Sequence, residues 1–137
     1  MKFLLDTNVV SEARKPRAYP GVLSWLNCTP AEDMFLSVLV LGEIRQGIAR
    51  LAAKDPRQAE VLARWLDQLR TDYADRLVPI TAEIAEEWGR RNATTPLPVV
   101  DGLLGATAVV MGMTLVSRNS GDLERTGARV LNPFSSG

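Results

Sequence analysis

Short apolar runs alternate along this chain with longer stretches in which apolar residues recur every three or four positions. The short runs end in polar residues or proline, and apolar runs bounded in this way predict strands that are buried on both faces. The predicted strands lie at residues 3–5, 34–37, 77–80, 114–116 and 128–131.

The longer stretches predict helices, because recurrence at this spacing places apolar side chains on one helical face. Pro56 suits the first turn of a helix, and Thr81 suits the residue that caps one. The segment from Val99 to Met113 is nearly all apolar or small, and Asp101 is its only charged residue. The predicted helices lie at about residues 9–13, 22–26, 38–53, 56–73, 82–92 and 99–113.

Strands separated by helices are typical of an α/β fold with a central, mostly parallel sheet and helices on both faces. We predict such a sheet with four to five strands. The 137 residues have the length of one domain, and the chain shows neither an internal repeat nor a linker. We therefore expect a single domain over residues 1–137.

The composition excludes several classes of function. The net charge is 0, so any nucleic-acid function must rest on a local site and not on a bulk positive field. The chain has no histidine, which excludes Ser-His-Asp and Cys-His triads and histidine-ligated zinc. Acidic side chains remain, and they suit hard cations such as Mg²⁺ and Mn²⁺.

The single cysteine and the first residues indicate the compartment. Cys28 has no partner for an internal disulfide. The apolar run at residues 3–5 is too short for a secretory signal, whose core needs about seven residues or more. The apolar and charged fractions, 46% and 23%, are those of a soluble globular protein. We therefore expect a cytoplasmic protein.

Polar side chains follow several of the predicted strands. Because ligands of open α/β sheets bind beyond the carboxyl ends of the strands, these residues are the candidates for a site. Asp6 follows the first strand, Glu43 lies in the helix after the second, and Asp101 opens the apolar helix that leads into the fourth. The residues directly after the fourth strand are Ser117, Arg118, Asn119 and Asp122.

Each acidic residue also has a structural explanation. Asp6 and Asp101 could cap helices, Glu43 could lie on a solvated helix face, and Asp122 could serve a turn or cap. The combination favours chemistry, because carboxylates gathered at one edge repel each other unless a cation joins them. One or two Mg²⁺ ions would relieve this repulsion and would supply the means to hydrolyse phosphodiesters without histidine.

Four stretches of the chain resemble the motifs of VapC-type PIN-domain toxins, the ribonuclease halves of type II VapBC toxin–antitoxin pairs. They are FLLDTNVVSE at residues 3–12, LSVLVLGEIRQGI at 36–48, PVVDGLLGATA at 98–108, and LVSRNSGD at 115–122 followed by VLNP at 130–133. The resemblance spans nearly the whole chain. Ser117 stands where the family usually has threonine, and Gly102 and Gly105 stand where alanine is common, which would loosen that helix slightly.

The resemblance implies a cytoplasmic, metal-dependent endoribonuclease with a PIN fold, usually a homodimer and inhibited by a VapB-like antitoxin. It implies Asp6 and Asp101 as the first ligands of Mg²⁺ or Mn²⁺, with Glu43 and Asp122 completing the acidic cluster and orienting the attacking water. Arg118 would contact a phosphate of the RNA or form a structural salt bridge. The donors that would hold the carboxylates are Thr7, Asn8, Ser117 and Asn119.

Two other functions stay open at this point. A PIN-type module could bind RNA or protein without turnover, although the acidic set is complete. A phosphatase could use Asp6 as its nucleophile, but Asn8 stands where such enzymes carry a second aspartate, and no matching lysine is evident.

An apolar stripe on the helices at about 38–53 and 56–73 predicts either core packing or an interface for a second copy or an antitoxin. Its residues are Leu51, Leu62, Trp65, Leu66 and Leu69.

Overall fold

The computed structural model of the chain, which describes residues 1–134, has five strands, seven α-helices and one short 3-10 turn. The strands are β1 (Phe3–Leu5), β2 (Met34–Ser37), β3 (Leu77–Val78), β4 (Thr114–Val116) and β5 (Val130–Leu131). The helices are α1 (Thr7–Ala13), α2 (Pro20–Cys28), α3 (Val38–Ala52), α4 (Pro56–Asp72), α5 (Ala82–Thr94), α6 (Val99–Met111) and α7 (Ser120–Glu124). The predicted α/β fold class is therefore confirmed.

The five strands form one parallel sheet in the order β3-β2-β1-β4-β5. From β1 the chain proceeds to β2 and β3 in one direction, and then returns past β1 to β4 and β5. Right-handed crossovers in opposite directions place α1–α4 on one face of the sheet and α5–α7 on the other. The packing agrees, because α1 contacts α2 and α3, α3 contacts α4, and α6 contacts both α5 and α7. The connection reverses between β1 and β4, where α/β sheets bind ligands.

Local signals place most of the helix ends where the sequence predicts them. The Thr81 hydroxyl accepts a hydrogen bond from the Ile84 N–H at 3.2 Å, and α5 begins at the next residue. Pro56 is the first residue of α4, and Asp55 caps that helix through the Gln58 N–H at 3.1 Å. α6 ends at Met111 and is capped by Gly112, whose φ of 66° is the left-handed conformation that glycine adopts without strain.

Four local predictions were wrong. The third strand ends at Val78 and not at residue 80, and the fifth begins at Val130 and not at residue 128. Asp122 does not lie in a simple turn, because the short helix α7 begins at Ser120 and includes it. The N-cap of α6 is Pro98, so Asp101 is the third residue of that helix and does not cap it. The helix begins at Val99, as the apolar pattern predicts, so the charge of Asp101 does not mark its start.

The core lies on both sides of β1, β2 and β4. Leu4, Leu36 and Leu115 are fully buried there. The apolar stripe of α3 and α4 packs largely against the same core, since Leu66 is buried and the rest of the stripe is partly buried against it. Within residues 1–134, no helix is both long enough and apolar enough to cross a membrane.

Two glycines of α6 allow close packing of its neighbours. A Cβ on Gly102 would lie 2.8 Å from Cδ1 of Trp88 in α5. A Cβ on Gly105 would overlap the side-chain atoms of Thr126, which is buried just after α7. Packing against Trp88 and Thr126 is thus a reason for glycine at these positions that helix propensity does not include.

Candidate active site

Asp6 lies at the junction of β1 and α1 and is 6% exposed. Its backbone N–H donates to the Val116 carbonyl at 2.9 Å, which ties it to the end of the neighbouring strand β4. One carboxylate oxygen, Oδ1, accepts from the Thr7 N–H at 2.7 Å, and the other, Oδ2, accepts from the Ser117 hydroxyl at 2.7 Å. Asp6 is thus the N-cap of α1, as its structural explanation predicted, and it also faces the site.

The side chain of Asn8 connects the ends of β1 and β4. Its amide nitrogen donates to Asp6 Oδ2 at 3.3 Å and to the Ser117 hydroxyl at 3.2 Å. Its carbonyl oxygen accepts from the Arg118 N–H at 3.2 Å. Asn8 therefore fixes the orientation of the Asp6 carboxylate and the path of the backbone after β4.

Glu43 is half-buried in the second turn of α3, so it does not lie on a solvated helix face. Its Oε1 accepts a hydrogen bond of 2.6 Å from the Thr7 hydroxyl. Since Thr7 directly follows Asp6, this hydrogen bond ties the Glu43 carboxylate of α3 to the residue next to Asp6. Thr7, Asn8 and Ser117 lie where the resemblance places them, as hydrogen-bond donors to the acids.

Asp101 is half-buried in the first turn of α6, and Asp122 is exposed in the first turn of α7. Burial raises the pKa of Asp101 above its ordinary value, and the negative charges of Asp6, Glu43 and Asp122 raise that pKa further. The other three predicted acids therefore lie near enough to Asp101 to act on its charge, although the four come from separate segments of the chain.

The acidic cluster, defined as Asp6, Glu43, Asp101 and Asp122, carries charge that no basic side chain balances. None of the four forms a salt bridge with a lysine or arginine in the part of the chain that the structure describes. In that part, no group of three or more His, Cys, Asp or Glu side chains stands in position to hold a metal ion. Ion binding would need the carboxylates to turn, and neither Asp101 nor Asp122 accepts a side-chain hydrogen bond that would hold it, among the bonds of residues 1–134.

After β4, Asn119 differs from its expected role, and one of the two alternatives for Arg118 is excluded. Asn119 contributes its backbone N–H, which donates to the Ser117 hydroxyl at 3.0 Å, so it holds Ser117 and not a carboxylate. Arg118 is exposed and forms no salt bridge within residues 1–134, so the structural salt bridge was a wrong alternative. Its guanidinium lies over aromatic rings instead, 4.6 Å from the Phe134 centroid and 6.0 Å from that of Tyr19.

Sequence reasoning missed Tyr19 and Phe134 as neighbours of the site. Tyr19 precedes α2 and Phe134 follows β5, and their ring centroids are 5.6 Å apart. Neither lies in a recognisable motif. An aromatic residue that is 42% exposed, as Tyr19 is, becomes informative only when its neighbours are known.

The chain belongs to the PIN-domain family, whose model matches residues 3–128. Toxin FitB of Neisseria gonorrhoeae is 31% identical, over 96% of this chain and 97% of that protein. VapC ribonuclease Y4jK of Sinorhizobium fredii is 29% identical, over 96% of each chain. The crystal structure of FitAcB from Neisseria gonorrhoeae has a TM-score of 0.89 and 28% identity, covering 98% of this chain and 99% of that one. The resemblance to VapC-type PIN-domain toxins is confirmed.

Proposed function

We propose that this protein is a metal-dependent endoribonuclease that acts as the toxin of a toxin–antitoxin pair. The observation that carries the proposal is the acidic cluster at the point where the sheet connection reverses. The negative charges of Asp6, Glu43 and Asp122 disfavour ionisation of Asp101, and no basic side chain of the described residues forms a salt bridge with any of the four. A divalent cation is the partner that such a set of oxygen ligands suits.

Asp6 and Asp101 would hold the ion, with Glu43 and Asp122 contributing directly or through water. When bound, Mg²⁺ or Mn²⁺ acidifies water and polarises a phosphoryl oxygen, which is the chemistry of phosphodiester hydrolysis. The protein's own part would be to fix two of these carboxylates before the ion arrives. The hydroxyls of Thr7 and Ser117 orient the carboxylates of Glu43 and Asp6, so less freedom is lost on binding.

The relatives support the substrate and the biological role. VapC ribonuclease Y4jK carries the activity in its name, and Toxin FitB carries the role. Both match the chain over nearly its full length, so the resemblance includes every segment of the acidic cluster. We extend these properties to this chain, together with a VapB-like antitoxin as its inhibitor, a homodimeric state and a cytoplasmic location.

The test is cleavage of a mixed RNA pool by antitoxin-free protein in Mg²⁺, in Mn²⁺ and in EDTA. Asp101→Asn should abolish cleavage, because it removes a proposed ligand that makes no structural hydrogen bond among residues 1–134. Asp67→Asn is the matched control, since Asp67 is an exposed acid of α4. Circular dichroism should show that both variants are folded.

Each outcome of this assay decides between the proposals. Metal-dependent cutting by the wild type and by Asp67→Asn, and not by Asp101→Asn, supports the nuclease. Full activity in Asp101→Asn or in EDTA contradicts it. RNA that is bound and left intact under all conditions would favour a binding module without turnover. Hydrolysis of a phosphate monoester with a trapped aspartyl-phosphate on Asp6 would favour the phosphatase.

A further inference from the structure

Arg118 and two aromatic side chains form a compact group beside the acidic cluster. The guanidinium of Arg118 lies over the Phe134 ring at 4.6 Å, and the Tyr19 ring meets the Phe134 ring at an interplanar angle of 56°. Phe134 is buried, whereas Tyr19 and Arg118 are exposed. The group, which we name the aromatic platform, thus has a buried base and two exposed members.

Buried polar contacts hold the aromatic platform in place. The Glu12 carboxylate, on a residue that is 9% exposed, accepts from the Tyr19 N–H and from the Lys15 ammonium, each at 3.0 Å. The Lys15 ammonium, the Tyr19 N–H and the charge of Arg118 keep the pKa of Glu12 below its ordinary value, so this anchor is ionised at neutral pH. Exposed side chains on a backbone fixed in this way are suited to binding, because little order must be gained.

A second set of contacts fixes the backbone on the other side of the platform. The Asn132 side chain donates to the Arg118 carbonyl at 3.3 Å and accepts from the Phe134 N–H at 2.9 Å. The residues after β4 and β5 are therefore joined to each other directly. The platform does not depend on a single flexible loop.

One side chain links the platform to the acidic cluster. Asn8 accepts from the Arg118 N–H and donates to the Asp6 carboxylate. The backbone of Arg118 is therefore joined to a proposed metal ligand through the side-chain amide of Asn8. Its guanidinium makes no hydrogen bond among those found in residues 1–134, so its donors face solvent, and a guanidinium fork matches a phosphate well.

We propose that the aromatic platform binds the nucleotide next to the scissile phosphate of single-stranded RNA, with Tyr19 stacking on its base and Arg118 contacting its phosphate. This inference rests on the proposed nuclease function, and it adds the position of the RNA strand relative to the acidic cluster. A base offers a flat π-face to an exposed aromatic ring whatever its sequence, and single strands are bound by combining such stacking with positive charge. The protein has no net charge, so a local cation beside the acidic cluster is needed to attract the backbone.

The platform can be tested by RNA binding apart from cleavage. Fluorescence anisotropy with a labelled single-stranded RNA of mixed sequence would be measured in Mg²⁺ on the Asp101→Asn protein, which should bind without cutting. Adding Tyr19→Leu should weaken binding by about 5- to 150-fold, the range found when one stacked base loses its aromatic partner. Adding Tyr19→Phe should restore binding, because the ring alone supplies the stacking.

Two controls separate stacking from a general loss of structure. An abasic oligonucleotide of the same length should bind Tyr19→Leu and the parent equally, since it has no base to stack. Arg118→Gln should lower the slope of log Kd against log salt by about one, and Arg129→Gln should leave that slope unchanged. Arg129 is an exposed arginine that precedes β5 and so lies at the opposite end of the sheet from Arg118.

The possible failures are distinguishable. If the wild type cuts RNA in a metal-dependent way while Tyr19→Leu and Arg118→Gln bind as their parent does, the platform is refuted and the nuclease stands. Equal weakening of normal and abasic RNA by Tyr19→Leu also refutes stacking. If the wild type neither cuts nor binds RNA, the proposed function fails and the platform fails with it.

Discussion

Gly105→Ala should destabilise this protein, although alanine is the better helix former by about 1 kcal/mol. The reason is the contact between α6 and the residues after α7. An added methyl group at position 105 would overlap Cβ, Oγ1 and Cγ2 of Thr126, so this buried side chain would have to move. Thr126 has little space to move into, because it is 2% exposed and the cavity that it lines has a volume of about 10 Å³, which is room for at most about one water molecule.

The magnitude follows from what Thr126 does. Its hydroxyl donates to the Leu123 carbonyl and accepts from the Ala128 N–H, and together these bonds are worth about 2 kcal/mol. Overpacking adds a penalty of about 1–3 kcal/mol. After the gain in helix propensity, we expect a net loss of about 2–4 kcal/mol in the free energy of unfolding. For a domain of this size that corresponds to a fall of about 8–16 °C in Tm.

Gly89→Ala is the matched control, because it makes the same change inside α5, where nothing lies within 4 Å of the new methyl group. It should stabilise the fold by about 0.5–1 kcal/mol and raise Tm by about 2–4 °C. Thermal unfolding followed by circular dichroism measures both variants. A Tm for Gly105→Ala at or above that of the wild type would refute the packing argument, and a fall in Gly89→Ala as large as that in Gly105→Ala would show that both glycines matter for another reason.

Two further predictions concern the acidic cluster. Since the pKa of Asp101 is raised, its ionisation opposes folding: the penalty is absent below its ordinary pKa of 3.8 and grows as the pH rises past it. Asp101→Asn should therefore raise Tm at neutral pH without metal and leave Tm unchanged in acid. Added Mg²⁺ should stabilise the wild type more than the variant. A lower Tm of the variant at neutral pH would contradict this reasoning. Thr7→Val removes the 2.6 Å hydrogen bond to Glu43 and should slow metal-dependent RNA cleavage by about 10- to 100-fold, whereas Thr7→Ser should cleave almost as the wild type does. Equal rates in the two Thr7 variants would show that this hydroxyl does not position Glu43.

Hydrophobic spacing was sufficient to predict most of the fold. Buried strands appear in the sequence as short apolar runs, and amphipathic helices appear as apolar residues at helical spacing. β1, β2 and β4 accordingly begin and end at the predicted residues. Ends set by local competition were harder to predict. At Pro98 and Asp101 the sequence offers two helix starts three residues apart, and the structure uses the proline. β3 stops before Pro79, which lacks the N–H that continuation of a strand needs.

The acids of the site could be predicted because parallel strands end at one edge, so a residue after β1 and residues after β4 must meet. What Arg118 contacts could not be predicted in this way. Its aromatic neighbours Tyr19 and Phe134 lie in segments without regular spacing, and only the folded backbone brings them together. The need for glycine at position 105 could not be predicted either, because it comes from Thr126, which lies after α7 and is distant in the sequence.

The four acids differ in how firmly the fold holds them, and this difference bears on how the site works. Asp6 caps α1 and accepts bonds from Ser117 and Asn8, so replacing it disturbs structure and chemistry together. Asp101 has no such bonds within residues 1–134 and carries the unfavourable charge. A cation binding here would meet one carboxylate already fixed in place and another whose repulsion it relieves. That relief would add to the affinity for the ion, so the instability of the metal-free cluster would itself favour metal binding. Loss of cleavage in Asp101→Asn is therefore more informative than loss in Asp6→Asn.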